Sequence, residues 1–86
     1  MAMDDLDCFT DGELEALHQV AFAAAADLID RLLAKLDEIR ATPWTTPRTA
    51  ALYAEHAVLN AACREQQDLM RRISVRLSDR AEARHA

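Results

Sequence analysis

The sequence predicts an all-α protein, an antiparallel two-helix hairpin that dimerises into a four-helix bundle. Hydrophobic residues make up 51% of its 86 residues but aromatic residues only 5%, because the apolar content is mainly Ala and Leu. The chain has one glycine, Gly12, and two prolines, Pro43 and Pro47. This composition favours helices and lacks the regular turn signals of β-sandwiches and barrels. It also excludes a phosphate-binding loop, which needs several glycines where the backbone approaches its ligand.

The first helix is predicted over residues 11–41, where no helix-breaking residue follows the first turn. Thr10 and Glu13 have the spacing of a capping box, in which each side chain accepts a hydrogen bond from the other residue's backbone N–H. Phe9 and Leu14 occupy the two positions of a hydrophobic staple around the same cap. These signals agree on where the helix begins.

Apolar or small residues recur along the first helix at alternating steps of four and three, the spacing of a heptad seam. The predicted seam consists of His18, Phe22, Ala25, Ile29, Leu32, Leu36 and Ile39. The apolar face is widened by Leu14, Ala21, Leu28 and Leu33.

A short loop over residues 42–46 separates this helix from a second one, predicted over about 47–80. Thr46 is placed to cap the second helix, and Pro47 suits its first position. The charged tail, residues 81–86, is expected to fray. The predicted seam of the second helix consists of Leu52, His56, Leu59, Cys63, Gln66, Met70, Ile73 and Leu77.

The shortness of the loop predicts that the two helices fold back antiparallel within a single domain, residues 1–86. Folding back in this way brings Leu36 near Leu52 and Ala25 near Cys63. It pairs Ile29 with Leu59, and Phe22 with Gln66. It also places the acidic residues of the first helix and its lead-in beside a basic stripe on the second helix. The acidic residues are Asp4, Asp5, Asp7, Asp11, Glu13 and Glu15, and the stripe consists of Arg72, Arg76, Arg80 and Arg84.

A lone hairpin of this length has little core, and the apolar face of its first helix is too wide for one partner helix. The simplest cover is a second copy of the chain; a different protein is the alternative. The predicted dimer or partner interface consists of Leu14, Leu17, Leu28, Leu32, Leu33 and Trp44. We expect Trp44 to close the end of the bundle on Ile39, Leu52 or Tyr53, with anchoring of a partner as its alternative role.

Chemistry-bearing residues are few. Glu15 and His18 form a Glu-x-x-His step, which in helical di-iron bundles points a carboxylate and an imidazole at the metal. The core glutamates that such a site also needs are missing, so Glu15, His18 and His56 are weak metal candidates, and no cofactor is expected. Polar seam residues such as His56 commonly set register and oligomeric state instead. No nucleophile, base and orienting group fall together, so we expect no enzymatic activity.

The net charge of −5 favours solubility and argues against general binding to nucleic acid. Contact of the arginine stripe with phosphates is a further alternative. Cys8 and Cys63 form no CxxC pair and are expected to be free thiols in a reducing compartment. The acidic start does not resemble a signal peptide, and the longest apolar run, 20–26, is too short to span a membrane.

The sequence therefore favours a small, acidic, cytoplasmic protein that functions by protein–protein interaction as a homodimer. An adaptor, a chaperone, or an inhibitor encoded by a phage or mobile element would fit this description. A metal-binding four-helix bundle using Glu15 and His18, or His56, is the alternative from another functional class.

Overall fold

The computed structural model describes residues 5–44 and 46–85. A 3-10 helix, Asp5–Cys8, leads into α1, Asp11–Ala41, and a short loop connects α1 to α2, Pro47–His85. The two long helices pack against each other as an antiparallel hairpin, 60 × 27 × 18 Å in extent. The predicted all-α hairpin is confirmed. Cys8 is exposed and Cys63 is buried, and both are free thiols.

The start of α1 has the capping box that the sequence predicts. The Thr10 hydroxyl accepts a hydrogen bond from the Glu13 N–H at 3.2 Å, and the Thr10 N–H donates to Glu13 Oε1 at 2.9 Å. The hydrogen bond from the Thr10 backbone lowers the pKa of the Glu13 carboxyl. Phe9 packs on the same cluster of side chains as the buried Leu14, as expected of a staple. The free N–H groups of the first turn are thereby partly satisfied.

Replacing Thr10 with Ala should lower the free energy of unfolding by about 1 kcal/mol, because an orphan N–H of the first turn loses its acceptor. Urea unfolding monitored by circular dichroism measures this loss. Thr10→Ser keeps the hydroxyl and is the matched control. An unchanged urea midpoint for Thr10→Ala would show that the cap contributes nothing to stability.

Threonine hydroxyls hold the loop between the helices. The Thr42 hydroxyl donates to the Glu38 carbonyl at 2.7 Å, at the end of α1. Thr46, predicted to cap α2, donates instead to the Pro43 carbonyl at 3.2 Å, and the buried Thr49 donates to the same carbonyl at 2.8 Å. These bonds tie the first turn of α2 to the loop and keep the connection tight.

The seam of α2 matches the expectation at every position. Its eight residues alternate between steps of four and three, and all of them are buried or half-buried. Leu52 and Ile73 are fully buried, and Cys63 is 4% exposed. The sequence pattern alone was sufficient here because the other faces of α2 are rich in charged residues.

The seam of α1 differs from the expected one, and the expected places of Phe22 and Ile29 in it are wrong. Phe22 is 62% exposed and Ile29 is 41% exposed. The buried Ala21 and half-buried Leu28 and Lys35 lie toward α2 instead. The expected pairings of Phe22 with Gln66 and of Ile29 with Leu59 therefore do not describe the helix contact. The small Ala21 lets the two backbones approach more closely than a phenylalanine would.

The reason for this rotation lies at the open end of the hairpin. Leu14 is fully buried there in a cluster with Leu6 and Ile73. Leu14 lies seven residues before Ala21, so burying it turns the series of Ala21, Leu28 and Lys35 toward α2. Phe9, Leu17, Leu69 and Leu77 pack around the cluster.

The predicted end of α2 near Arg80, with a frayed tail over 81–86, is wrong for the described part of the tail. The helix continues to His85; Ala86 lies outside the described residues. Arg80 donates to Asp11 Oδ1 at 3.0 Å and to the Phe9 carbonyl at 2.8 Å, and Arg84 pairs with the same carboxylate. These contacts give the last turns of α2 partners on the first part of the chain.

Candidate protein interface

A row of four exposed apolar residues runs along the outside of α1. Phe22, Ala26, Ile29 and Leu33 follow one another at steps of four, three and four, so they share one face of the helix. All four are exposed, and the side chain of Leu33 is 56% exposed. We call this row the α1 stripe. Exposed apolar residues scattered singly are ordinary, but a continuous row of large ones marks a binding surface.

Each residue of the α1 stripe directly follows a buried or half-buried residue on the side of α1 that meets α2, and Ala26 follows the buried Ala25. Phe22 follows Ala21, Ile29 follows Leu28, and Leu33 follows Leu32. Since successive helical residues are about 100° apart, the stripe borders the contact with α2 rather than opposing it. A partner covering the stripe could therefore touch both helices.

The corresponding border of α2 is mostly polar. Tyr53, Asn60, Arg64 and Gln67 each follow a residue of the α2 seam, so they lie along one flank of that helix. Tyr53 is 47% exposed. Beside the middle of the α1 stripe, α2 thus presents an amide, a guanidinium and a second amide.

The other side of the hairpin has a groove of about 680 Å³ with an apolar floor and a charged rim. Ala54, Val58 and Leu59 belong to its lining on α2. On α1, the lining residues Arg31, Ala34 and Glu38 each precede a seam residue. The groove and the α1 stripe therefore lie on opposite flanks of α1.

Ion pairs between the helices cross this groove. Lys35 Nζ donates to Glu55 Oε2 at 2.7 Å, and Arg48 lies 3.4 Å from Glu38. Arg48 also lies 3.7 Å from Glu55 within α2. The hydrogen bond between Lys35 and Glu55 lowers the pKa of the Glu55 carboxyl and raises the pKa of Lys35. Each charge on the rim has an opposite charge close by, so the groove contributes to the hairpin and leaves little charge for an ionic ligand.

The predicted interface residues on α1 fall into three groups. Leu14 is fully buried and Leu17 packs against the core cluster, so assigning Leu14 to an exposed interface is wrong. Leu28 and Leu32 are half-buried, on the side of α1 that meets α2. Leu33 is exposed within the α1 stripe, where sequence reasoning missed Phe22 and Ile29 because it had placed them in the seam.

Trp44 lies in the loop, and its side chain is 82% exposed. The expectation that it closes the bundle end on Ile39, Leu52 or Tyr53 is therefore wrong. Trp44 follows Pro43 directly, and the carbonyl of Pro43 accepts hydrogen bonds from Thr46 and Thr49. These bonds fix the adjoining backbone and leave the indole directed away from the packed helices. Its alternative role, as the anchor for a partner, stays a prediction.

Each arginine of the basic stripe has a carboxylate partner within the chain. Arg72 lies 3.2 Å from Asp68, Arg76 lies 3.2 Å from Asp7, and Arg80 and Arg84 pair with Asp11. Asp4 lies outside the described residues. This internal neutralisation reduces the attraction that the stripe would exert on a phosphate backbone.

The metal candidates lie apart from any cluster of ligands. Glu15 is exposed, and His18 and His56 are half-buried. Within residues 5–44 and 46–85, no group of three or more His, Cys, Asp or Glu side chains could hold a metal ion. Neither α1 nor α2, as described, has a stretch that is apolar and long enough to cross a membrane.

Comparison of the chain with protein-family models, with curated proteins and with solved structures gave no match.

Proposed function

We propose that this protein is a cytoplasmic protein–protein interaction module of the adaptor, chaperone or inhibitor kind, acting as a homodimer without catalysis. The observation that carries the proposal is the α1 stripe. Two hairpins that cover their stripes against each other form a four-helix bundle, the arrangement in which amphipathic helices of this length commonly pack.

The limited stability expected of a single hairpin supports dimerisation. Leu14, Leu52 and Ile73 are its largest fully buried side chains, which is a small core for a chain of 86 residues. Complete burial of a Phe, Ile or Leu side chain contributes about 2 kcal/mol. Because the three large side chains of the α1 stripe are only partly covered in the hairpin, a second copy would recover much of that energy.

Light scattering at micromolar concentration tests the proposal directly. We expect a mass of about twice the 9.6 kDa chain. A folded wild-type chain of monomeric mass at this concentration would overturn the proposal. The melting temperature should also rise with protein concentration, because the dimer is favoured by mass action.

Leu33→Asp should convert the dimer to monomer, since it would bury an unpaired carboxylate in the interface. Val20→Asp is the matched control: Val20 is 67% exposed and precedes Ala21, which places it on the opposite flank of α1. Its dimer should remain intact in the same light-scattering measurement. If both variants had the mass of a monomer, the α1 stripe would not be the specific interface.

A further inference from the structure

We infer that the α1 stripe binds the same stripe of a second copy, with the two α1 helices antiparallel and a two-fold axis between Ala26 and Ile29. This inference rests on the proposed function, because it states how the homodimer is built. It makes α1 against α1 the central contact of the four-helix bundle and puts the two loops at opposite ends.

The residues of the α1 stripe and of its two ends have a spacing that is the same in both directions along the helix. One charged residue flanks the α1 stripe at each end on the same helix face, Glu15 before it and Arg40 after it. From Glu15 through Phe22, Ala26, Ile29 and Leu33 to Arg40, the steps are seven, four, three, four and seven residues. A two-fold interface requires this property, because each residue on one copy must meet its counterpart from the other half of the series.

Turning one copy over on the other makes the three pairs of this series complementary. Phe22 meets Leu33 of the second copy, and Ala26 meets Ile29, so a large side chain lies opposite a small one at the axis. Glu15 meets Arg40 of the second copy at both ends of the contact. The ends are about 37 Å apart along the helix, so these two ion pairs frame the apolar contact.

Both charged residues are accessible for this role. Glu15 is exposed, and the side chain of Arg40 is 77% exposed. Arg40 lies 3.8 Å from Asp37 on its own helix, in a pair whose partners are both open to solvent. Exposed pairs of this kind are weak, so the contact with Asp37 does not compete strongly with a pair at the edge of an interface.

The flank of α2 is a poorer partner for the α1 stripe. If α1 packed on α2 of the second copy, antiparallel pairing would set Phe22 and Ile29 against the polar row of Asn60, Arg64 and Gln67. Burying those groups without hydrogen-bond partners would be costly. Packing of the stripe against itself avoids this cost.

Charge reversal with mixing tests the inferred register. Glu15→Arg brings two arginines together at each end of the contact, and Arg40→Glu brings two glutamates together. Each variant alone should self-associate about ten-fold more weakly than wild type in sedimentation equilibrium. An equimolar mixture of the two variants should regain wild-type affinity, because the mixed dimer has opposite charges at both ends, and native mass spectrometry should identify that dimer.

Asp27→Arg and Arg31→Glu form the matched control. They carry the same changes in net charge and lie on α1, but away from the stripe, where the two residues pair with each other at 3.0 Å. Each control variant should self-associate with wild-type affinity, and an equimolar mixture of the two should show the same affinity. Circular dichroism checks that all four variants keep their helical content.

The outcomes separate the register from the dimer. If the wild type is dimeric but Glu15→Arg and Arg40→Glu do not weaken it, the register is overturned and the proposed function stands. If both variants self-associate more weakly but their mixture does not regain wild-type affinity, the register is overturned as well, and the result points to α1 packing on α2 of the second copy. A monomeric wild type overturns the register and the proposed function together.

Discussion

Leu14→Ala should lower the free energy of unfolding by about 3 kcal/mol, the loss typical of a truncated leucine in a tightly packed core. Leu14 has no exposed surface. It packs with Leu6 and Ile73 where the lead-in, the segment of residues 5–10 before α1, meets the two long helices. Loss of its side chain leaves a cavity that these fixed neighbours can fill only in part. Urea unfolding at one fixed protein concentration measures the change.

Val20→Ala is the control for this prediction. Val20 also lies on α1, but it is 67% exposed, and its truncation should change the free energy of unfolding by less than about 0.5 kcal/mol. If Leu14→Ala unfolded like wild type and instead weakened dimerisation, Leu14 would be an interface residue, and the core at the open end would be wrong.

Local signals in the sequence were sufficient for much of the fold. The capping box of Thr10 and Glu13 identified the start of α1, because its hydrogen bonds involve residues only three positions apart. The prolines and threonines of the loop marked the break between the helices. The α2 seam was clear because charged residues occupy most of its other faces.

The α1 seam could not be predicted in the same way, because α1 has apolar residues on two adjoining faces. One series contains Phe22 and Ile29, and the other contains Ala21 and Leu28. Hydrophobicity favours the series with Phe22 and Ile29. The series with Ala21 and Leu28 continues to Lys35, a residue type that is usually found at the surface. Its side chain is only 18% exposed, because its ammonium group reaches Glu55 while its aliphatic stem lies along the helices.

The contribution of the lead-in was missed for a different reason. Leu6 is 4% exposed and belongs to the core cluster, yet it lies in a 3-10 helix, Asp5–Cys8, which is too short for a periodic pattern. Its burial depends on tertiary contacts with Leu14 and Ile73.

The wrong seam for α1 also displaced the candidate interface, since placing Phe22 and Ile29 in the seam removed them from the surface.

Arg80→Met should lower the free energy of unfolding by about 2 kcal/mol, because the guanidinium is a charged donor to acceptors on the lead-in and on the first residue of α1. It donates to the Phe9 carbonyl at 2.8 Å, to the Leu6 carbonyl at 3.4 Å and to Asp11 Oδ1 at 3.0 Å. Methionine keeps most of the aliphatic length but donates no hydrogen bond. Urea unfolding gives the global loss, and amide hydrogen exchange locates it.

The exchange pattern distinguishes this role of Arg80 from a general loss of charge. Protection from exchange should fall at residues 81–85 and around Phe9, because both segments depend on the same side chain. In the middle of α2, protection should fall only by the amount that corresponds to the loss of global stability. Arg72→Met is the matched control, since Arg72 pairs with Asp68 on its own helix and is 52% exposed; its loss should stay below about 0.5 kcal/mol. Equal effects of the two variants, or unchanged protection at 81–85, would show that Arg80 does not hold the lead-in against the end of α2. The helical state of residues 81–85 would then have a local cause, such as the alternation of alanines with charged residues that favour helix.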